Sequence, residues 1–289
     1  MNKKKIIATV VMIVALIIIL VITLNKEEEQ QPASGFETHR IVAHAMGGIN
    51  GYTYTNAWEA FVANYERGTR VFEVDFLLSK DDQLVARHEW TVNMSKLLGQ
   101  LEVLPANKQG VALDYEEFMD SPILNIYSPL DIEKVLDLMQ NYPDAYIVTD
   151  TKEIQPELIE KQFTLLTEAA QRRDPALLER IVPQIYNQPM LDEINKVYSF
   201  PEVLYTLYQS KDTDEQVIEF VKKTGVDITM PVSRATKSFV KQLKNIGARV
   251  YVHTVDEEDE IRALSRMGVD GFYSDFVPEN DLNNLRGIR

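Results

Sequence analysis

Glu73 and Asp75 stand two residues apart in the run Val71-Phe-Glu73-Val-Asp75. The period of two in a strand puts both carboxylates on one face while Phe72, Val74 and Phe76 turn to the other. Asp150 and Lys152 repeat the arrangement after Tyr146, Ile147 and Val148, adding a third oxygen ligand and one positive charge. Three converging carboxylates repel one another unless a cation sits among them, and an oxygen-only donor set favours Mg²⁺, Ca²⁺ or Mn²⁺ over zinc or copper. The expected cofactor is a divalent cation, Mg²⁺ or Ca²⁺. Of the four histidines, His44 and His88 close apolar runs, where an imidazole can serve as general acid or general base near neutral pH. Phosphoryl transfer needs an activated oxygen nucleophile, a protonated leaving group and positive charge on the equatorial oxygens. These residues offer a candidate for each.

The same placement at successive strand ends describes the mouth of a barrel. Strands are predicted at Ile41–His44, Val71–Leu77, Gln83–His88, Ala145–Asp150, Ile181–Tyr186, Val203–Leu207, Asp227–Met230, Arg249–His253 and Gly271–Ser274. Helices are predicted between them at Asn56–Arg67, Pro129–Asn141, Gln155–Gln171, Met190–Val197, Asp214–Thr224, Thr236–Ile246 and Glu257–Met267. Alternation of this kind argues for a parallel α/β sheet closed as a TIM-type (β/α)8 barrel. Ser79-Lys-Asp-Asp82 is too short for a crossover helix, so the strands it joins should form a local hairpin. The stretch 91–127 has no clean period and contains Gly99, Pro105, Gly110 and Pro122, which reads as an insertion over the barrel mouth.

His44 through Asn56 and Gly68 to Glu73, Asp75 and His88, then Asp150 with Lys152, Val252-His-Thr-Val-Asp256 and Gly268 through Asp275, together resemble the glycerophosphodiester phosphodiesterase family. That family runs His-Arg-Gly, Glu-Asn-Thr, Glu-x-Asp, His-Asp, Glu-x-Lys, Trp-Thr-Val-Asn and Thr-Asp, and both order and spacing agree. The resemblance implies a barrel of the PLC-like phosphodiesterase kind, with His44 and His88 as acid and base. It also implies Glu73, Asp75 and Asp150 as metal ligands, Lys152 as a phosphate contact and an insertion that helps shape the substrate pocket. The chain departs from the pattern where the arginine after the first histidine is Ala45, so a bidentate phosphate clamp is missing. Lys152 is the first substitute, Arg87 and Arg234 are others, and the amides of Gly47 and Gly48 offer a weaker one. Thr55 stands for the acid of Glu-Asn-Thr, and His253 for the late tryptophan. Hydrolysis of a glycerophosphodiester is the leading expectation. A phosphoryl-ligand-binding module that has lost catalysis, and a transferase acting on a wall polymer, are the alternatives.

Outside these motifs the residues have plainer readings. His39 reads as exposed and Asp275 as a turn former or the family's late aspartate. His253 could contact substrate or make a structural hydrogen bond, and Tyr52, Tyr54 and Trp90 could line a pocket or merely pack.

With 289 residues, 45% hydrophobic and 26% charged, the chain can bury one full core, and a barrel of about 250 residues is ordinary. The absence of cysteine excludes disulfides, thiolate metal sites and a cysteine nucleophile. A formal charge of −14 argues against nucleic acid as a partner, so an anionic substrate must be recognised locally. Ile6 to Leu24 is an uncharged apolar run, long enough to cross a bilayer core of roughly 30 Å. The expected organisation is a cytoplasmic tail (1–5), a transmembrane helix (6–24), a linker (25–38) and an extracytoplasmic barrel (39–289), oriented by the three lysines before the apolar run. A cleaved signal peptide fits less well, because the run exceeds the roughly 7–15 residues of a signal core. Such an anchor would bring lipid headgroups and wall glycerol phosphates within reach as substrates.

Overall fold

The computed structural model describes residues 35–284 of the chain. Two compact units are distinguished, Met1–Thr38 and His39–Arg289. The described part of the first is a 3-10 turn, Phe36–Thr38, in which the Thr38 hydroxyl donates to the Gly35 carbonyl at 2.9 Å. The expected membrane span at 6–24 lies outside the described residues; among those described, no helix is long and apolar enough to cross a membrane.

The second unit is built on β1 (Ile41–Ala43), β2 (Val71–Leu78), β3 (Leu84–Ala86), β4 (Tyr146–Asp150), β5 (Ile181–Ile185), β6 (Leu204–Thr206), β7 (Asp227–Pro231), β8 (Val250–His253) and β9 (Gly271–Ser274). All but β3 run parallel, each against its neighbour in chain order, and β1 pairs with both β2 and β9 to close the ring. This is the closed eight-stranded parallel barrel that the strand and helix pattern predicts. The short β3 pairs antiparallel with β2, Phe76 opposite Ala86, which is the hairpin expected from the brevity of Ser79–Asp82. Phe72, Val74 and Phe76 are fully buried in the main hydrophobic core, as alternation requires of the face opposite Glu73 and Asp75.

Three helix starts differ from the periodicity by two residues or more, one being the helix expected from Met190, which begins at Gln188 after the cap Asn187. The first helix runs Trp58–Glu66, because Asn56 takes a left-handed conformation (φ 45) and turns its amide to Asp75. The helix expected from Pro129 begins at Ile132, where Asp131 caps it by accepting from the Lys134 amide at 2.8 Å. The three residues from Pro129 to Asp131 are held in bridges instead, Pro129 to Ala57 and Asp131 to Val85.

The stretch 91–127 holds two short α-helices: Tyr115–Met119 packs through Phe118 with Val85, Leu113 and Trp90, and Val92–Leu97 places Met94 in the main core. Arg87 ties it to the barrel. Its guanidinium donates to the Glu89 carbonyl (2.9 Å), Gln100 Oε1 (2.8 Å) and Ser95 Oγ (3.2 Å), and lies 4.8 Å from the Trp90 ring centroid. Only 2% of the residue is exposed, and burial pushes its pKa down to about 10. Arg87 is therefore a structural tie and no substitute for the missing phosphate arginine. Arg87→Leu is expected to destabilise the fold by roughly 2–4 kcal/mol in urea melts, since the acceptors around it lose their donor.

Candidate active site

Glu73, Asp75 and Asp150 converge as their strand positions require. Asp75 sits opposite Asp150 in the register of β2 and β4, and one oxygen from each of the three carboxylates lies within 4.8 Å of the others. Glu73 and Asp75 are buried to 1% and 0% exposure. Lys152, in a left-handed conformation (φ 56), turns its ammonium back onto this group, pairing with Asp75 and lying 3.0 Å from Asp150 Oδ2. The Ala45 amide donates to Glu73 Oε2 at 2.6 Å, and the Asn56 amide to Asp75 Oδ2 at 2.8 Å. Glu73 Oε1 and Asp150 Oδ1 are buried without a hydrogen-bond partner. Burial, with Asp75 alongside, holds the Glu73 carboxyl well above the usual carboxylate range; burial also raises Asp150. For Asp75, burial is outweighed by Lys152 and the two nearby imidazoles, and its pKa falls. Two orphaned oxygens in an all-oxygen group that is short of positive charge fit a hard divalent cation.

His44 follows β1 directly, and its Nδ1 lies 2.9 Å from Asp275 Oδ1. Burial would depress this imidazolium, but the bond to Asp275 and the field of Glu73 prevail and push its pKa to about 9. Asp275 is itself placed by Asp256, one oxygen of which accepts from the amides of Asp275 (2.8 Å) and Phe276 (3.0 Å) and from the Ser274 hydroxyl (2.6 Å). Reading Asp275 as a turn former thus misses its contact with His44. His88, after β3, is its counterpart: burial lowers its pKa against the pull of Asp75. Tyr54 stands edge-on to both imidazoles, with ring centroids 4.9 Å from His44 and 4.8 Å from His88. Tyr54, Ala45, Met46, Asn56 and Lys152 all have positive φ without being glycine, a concentration of backbone strain around one site.

A cavity of about 710 Å³ opens on these groups. Its lining includes His44, Tyr54, Glu73, His88, Asp150 and Lys152 on one side. Gln184, Tyr205, Thr206, His253 and Tyr273 face them from β5, β6, β8 and β9. The Tyr273 hydroxyl donates to Gln184 Oε1 at 2.9 Å, and Thr229 Oγ1 lies 3.4 Å from His253 Nδ1. Lys211 lies on the rim, in the loop after β6.

Several expectations need correction. The lining contains no residue of 91–127 among those described, and Trp90 packs with that segment, donating to the Leu78 carbonyl at 3.1 Å. Arg234 is turned away to the Asp212 carbonyl at 2.6 Å. The Gly47 and Gly48 amides are spent within the fold, on the His44 carbonyl (2.7 Å) and the Asp275 carbonyl (2.5 Å). His39 is half-buried, its ring 6.0 Å from that of Tyr146. Gln184, Tyr205, Tyr273 and Lys211 were not singled out by the sequence. An amide in the apolar run Ile181–Ile185 is the signal that could have pointed to Gln184.

A model of the glycerophosphoryl diester phosphodiesterase family matches residues 47–279. Among solved structures, the chain is similar to a putative glycerophosphodiester phosphodiesterase from Galdieria sulphuraria (18% identity, TM-score 0.69, covering 86% of this chain and 97% of that one). It is also similar to a glycerophosphodiester phosphodiesterase from Parabacteroides distasonis (19% identity, TM-score 0.67, 85% and 96%). A third is a phosphodiesterase from Oleispira antarctica in complex with the product sn-glycerol-3-phosphate (15% identity, TM-score 0.65, 87% and 98%). At these identities the likeness shows the fold. No curated protein matches the chain.

Proposed function

The chain belongs to the glycerophosphoryl diester phosphodiesterase family, and on that premise we propose that it hydrolyses a glycerophosphodiester by metal-dependent acid-base catalysis between His44 and His88. The observation that carries the reading is the meeting, in one cavity, of a buried carboxylate triad with orphaned oxygens and two imidazoles pushed in opposite directions. Glu73, Asp75 and Asp150 would hold Mg²⁺ or Ca²⁺, which when bound supplies positive charge against the phosphoryl oxygens. His88, kept neutral near pH 7, takes the proton of the attacking hydroxyl. His44, kept protonated by Asp275, gives a proton to the leaving oxygen. Lys152 contributes the fixed cation beside the phosphate, and Lys211 on the rim is a second. Release of glycerol phosphate from glycerophosphodiesters by the purified chain tests the reading directly.

The two imidazoles set an expected pH profile. His88 must be neutral, which holds above a pKa lying under its ordinary 6.5, and His44 must be protonated, which holds below about 9. A plot of kcat/KM against pH should therefore stay level between these limits and fall on the alkaline side near pH 9. Asp275→Asn should move the alkaline limb to lower pH. A limb that stays in place in that variant contradicts the assignment of His44 as the acid.

The location proposed for this activity is outside the cytoplasm, on a tether. The apolar run Ile6 to Leu24 behind three lysines supports it. Lipid headgroups and wall glycerol phosphates are then the phosphodiesters within reach, and protease accessibility of the barrel in intact cells is the check.

A further inference from the structure

The barrel mouth is divided by charge. On β1, β2 and β4, and just beyond β3, the inward groups are His44, Glu73, Asp75, His88 and Asp150, with Lys152 turned back over them. From β5 to β9 the cavity floor carries Gln184, Thr206, His253 and Tyr273, hydrogen-bonding groups without a carboxylate or an ammonium. Charged groups also line that side at Lys211 and Asp212, in the loop after β6, but the strand ends of this arc discriminate by shape and hydrogen bonding.

On that neutral arc the His253 imidazole has an unused atom. Its Nδ1 lies 3.4 Å from Thr229 Oγ1, while Nε2 is buried and has no partner among the described residues. The ring is held edge-on between Tyr208 and Tyr273, with centroids 5.9 Å from each, so it cannot swing freely to another partner. Burial and the nearby His44 cation push its pKa down to about 4, so the ring is neutral at pH 7. A neutral imidazole cannot neutralise an anion, and an unmet buried hydrogen-bonding atom on a cavity wall is best satisfied by a ligand hydroxyl, which can donate or accept to suit the tautomer. The other groups of the arc are of the same kind: Gln184 accepts from Tyr273 and keeps its amide nitrogen, and Thr206 offers a hydroxyl at the end of β6.

We infer that His253 is a specificity residue: through Nε2 it hydrogen bonds a hydroxyl on the alcohol side of the substrate, and so selects hydroxylated phosphodiesters over bare alkyl ones. The inference rests on the proposed function for the position of the phosphate, on the charged arc. A site that hydrogen bonds a substrate hydroxyl rejects an analogue lacking it, because its own buried polar atom is then left unpaired.

Binding tests this without requiring turnover. The full-length chain, in detergent with Mg²⁺ present, is titrated by calorimetry with sn-glycerol 3-phosphate and with n-propyl phosphate, which share the phosphate and the three-carbon chain and differ by two hydroxyls. The wild type should prefer glycerol phosphate by about tenfold or more. His253→Phe should remove most of that preference by weakening glycerol phosphate while leaving propyl phosphate within about twofold, and His253→Gln, which retains a hydrogen-bonding end, should recover part of it. Equal losses for both ligands, which a purely structural role would give, overturn the inference. So does a wild type that shows no preference or binds neither. A wild type that discriminates between the two phosphates yet never hydrolyses a glycerophosphodiester defeats the proposed function and leaves the role of His253 standing. One that hydrolyses them with no change in discrimination on His253→Phe defeats the role alone.

Discussion

His44→Ala is expected to lower kcat/KM on a glycerophosphodiester by roughly 100- to 10,000-fold, the range for loss of a positioned proton donor. An alkoxide is a poor leaving group, and His44 is the imidazole kept protonated near neutral pH by its 2.9 Å contact with Asp275 and the field of Glu73. The size of the loss should depend on the leaving group. A p-nitrophenyl phosphodiester expels a stable phenolate that needs no proton, so the same variant should lose less than about tenfold on it. His88→Ala, which removes the base, should lose activity on both substrates alike. If His44→Ala loses as much on the aryl ester as on the alkyl ester, His44 is not the acid, and the roles of the two histidines must be exchanged or abandoned.

Neutralising the triad should abolish activity and, without metal, stabilise the fold. Glu73→Gln removes a carboxylate whose Oε1 has no partner, and Asp150→Asn does the same for Oδ1. Even the partners that orient metal ligands cost about 10–100-fold when removed, so loss of a ligand itself should exceed about 100-fold in activity or metal affinity. The stability effect has the opposite sign. The Glu73 pKa is raised in the folded protein, so folding above its unfolded pKa must bury that charge or take up a proton there, a cost the unfolded chain does not bear. Removing that charge should raise the thermal midpoint of the chelated protein. The wild type should gain stability from divalent cation and the variant little or none, which differential scanning calorimetry with and without EDTA would resolve.

The reactive half of the mouth was legible because its chemistry is carried by local spacing. Glu73 and Asp75 share a face by the period of two and Asp150 closes its own strand, while the pairing of β2 with β4 that sets Asp75 beside Asp150 is seen in the structure. The strand at Gly271–Ser274 and the helix at Asp214–Thr224 match their predicted bounds, the latter because a Thr213–Gln216 capping box and the left-handed Gly225 mark both ends. What could not be read was direction and tertiary partnership. Arg87 lies one residue from His88, yet points into the 91–127 segment, because Gln100 and Ser95 supply acceptors there. Gly47 and Gly48 have the freedom to cradle an anion, but their amides are claimed by His44 and Asp275 across the barrel closure. Asp275 acts through a contact 231 positions away in sequence. The neutral arc is the extreme case, since Gln184 and Tyr273 meet only when β5 and β9 are wound into the same ring.

The central claim, a metal-dependent phosphodiesterase centre on Glu73, Asp75 and Asp150, is tested most directly by one measurement. The purified chain is stripped with EDTA, and release of glycerol phosphate from glycerophosphoglycerol is followed as Mg²⁺ or Ca²⁺ is added back. The account predicts no turnover in the stripped protein, recovery that saturates with one of the two ions, and no recovery in Asp150→Asn. Turnover that survives chelation, or tight binding of the diester with no product at any ion concentration, would contradict it.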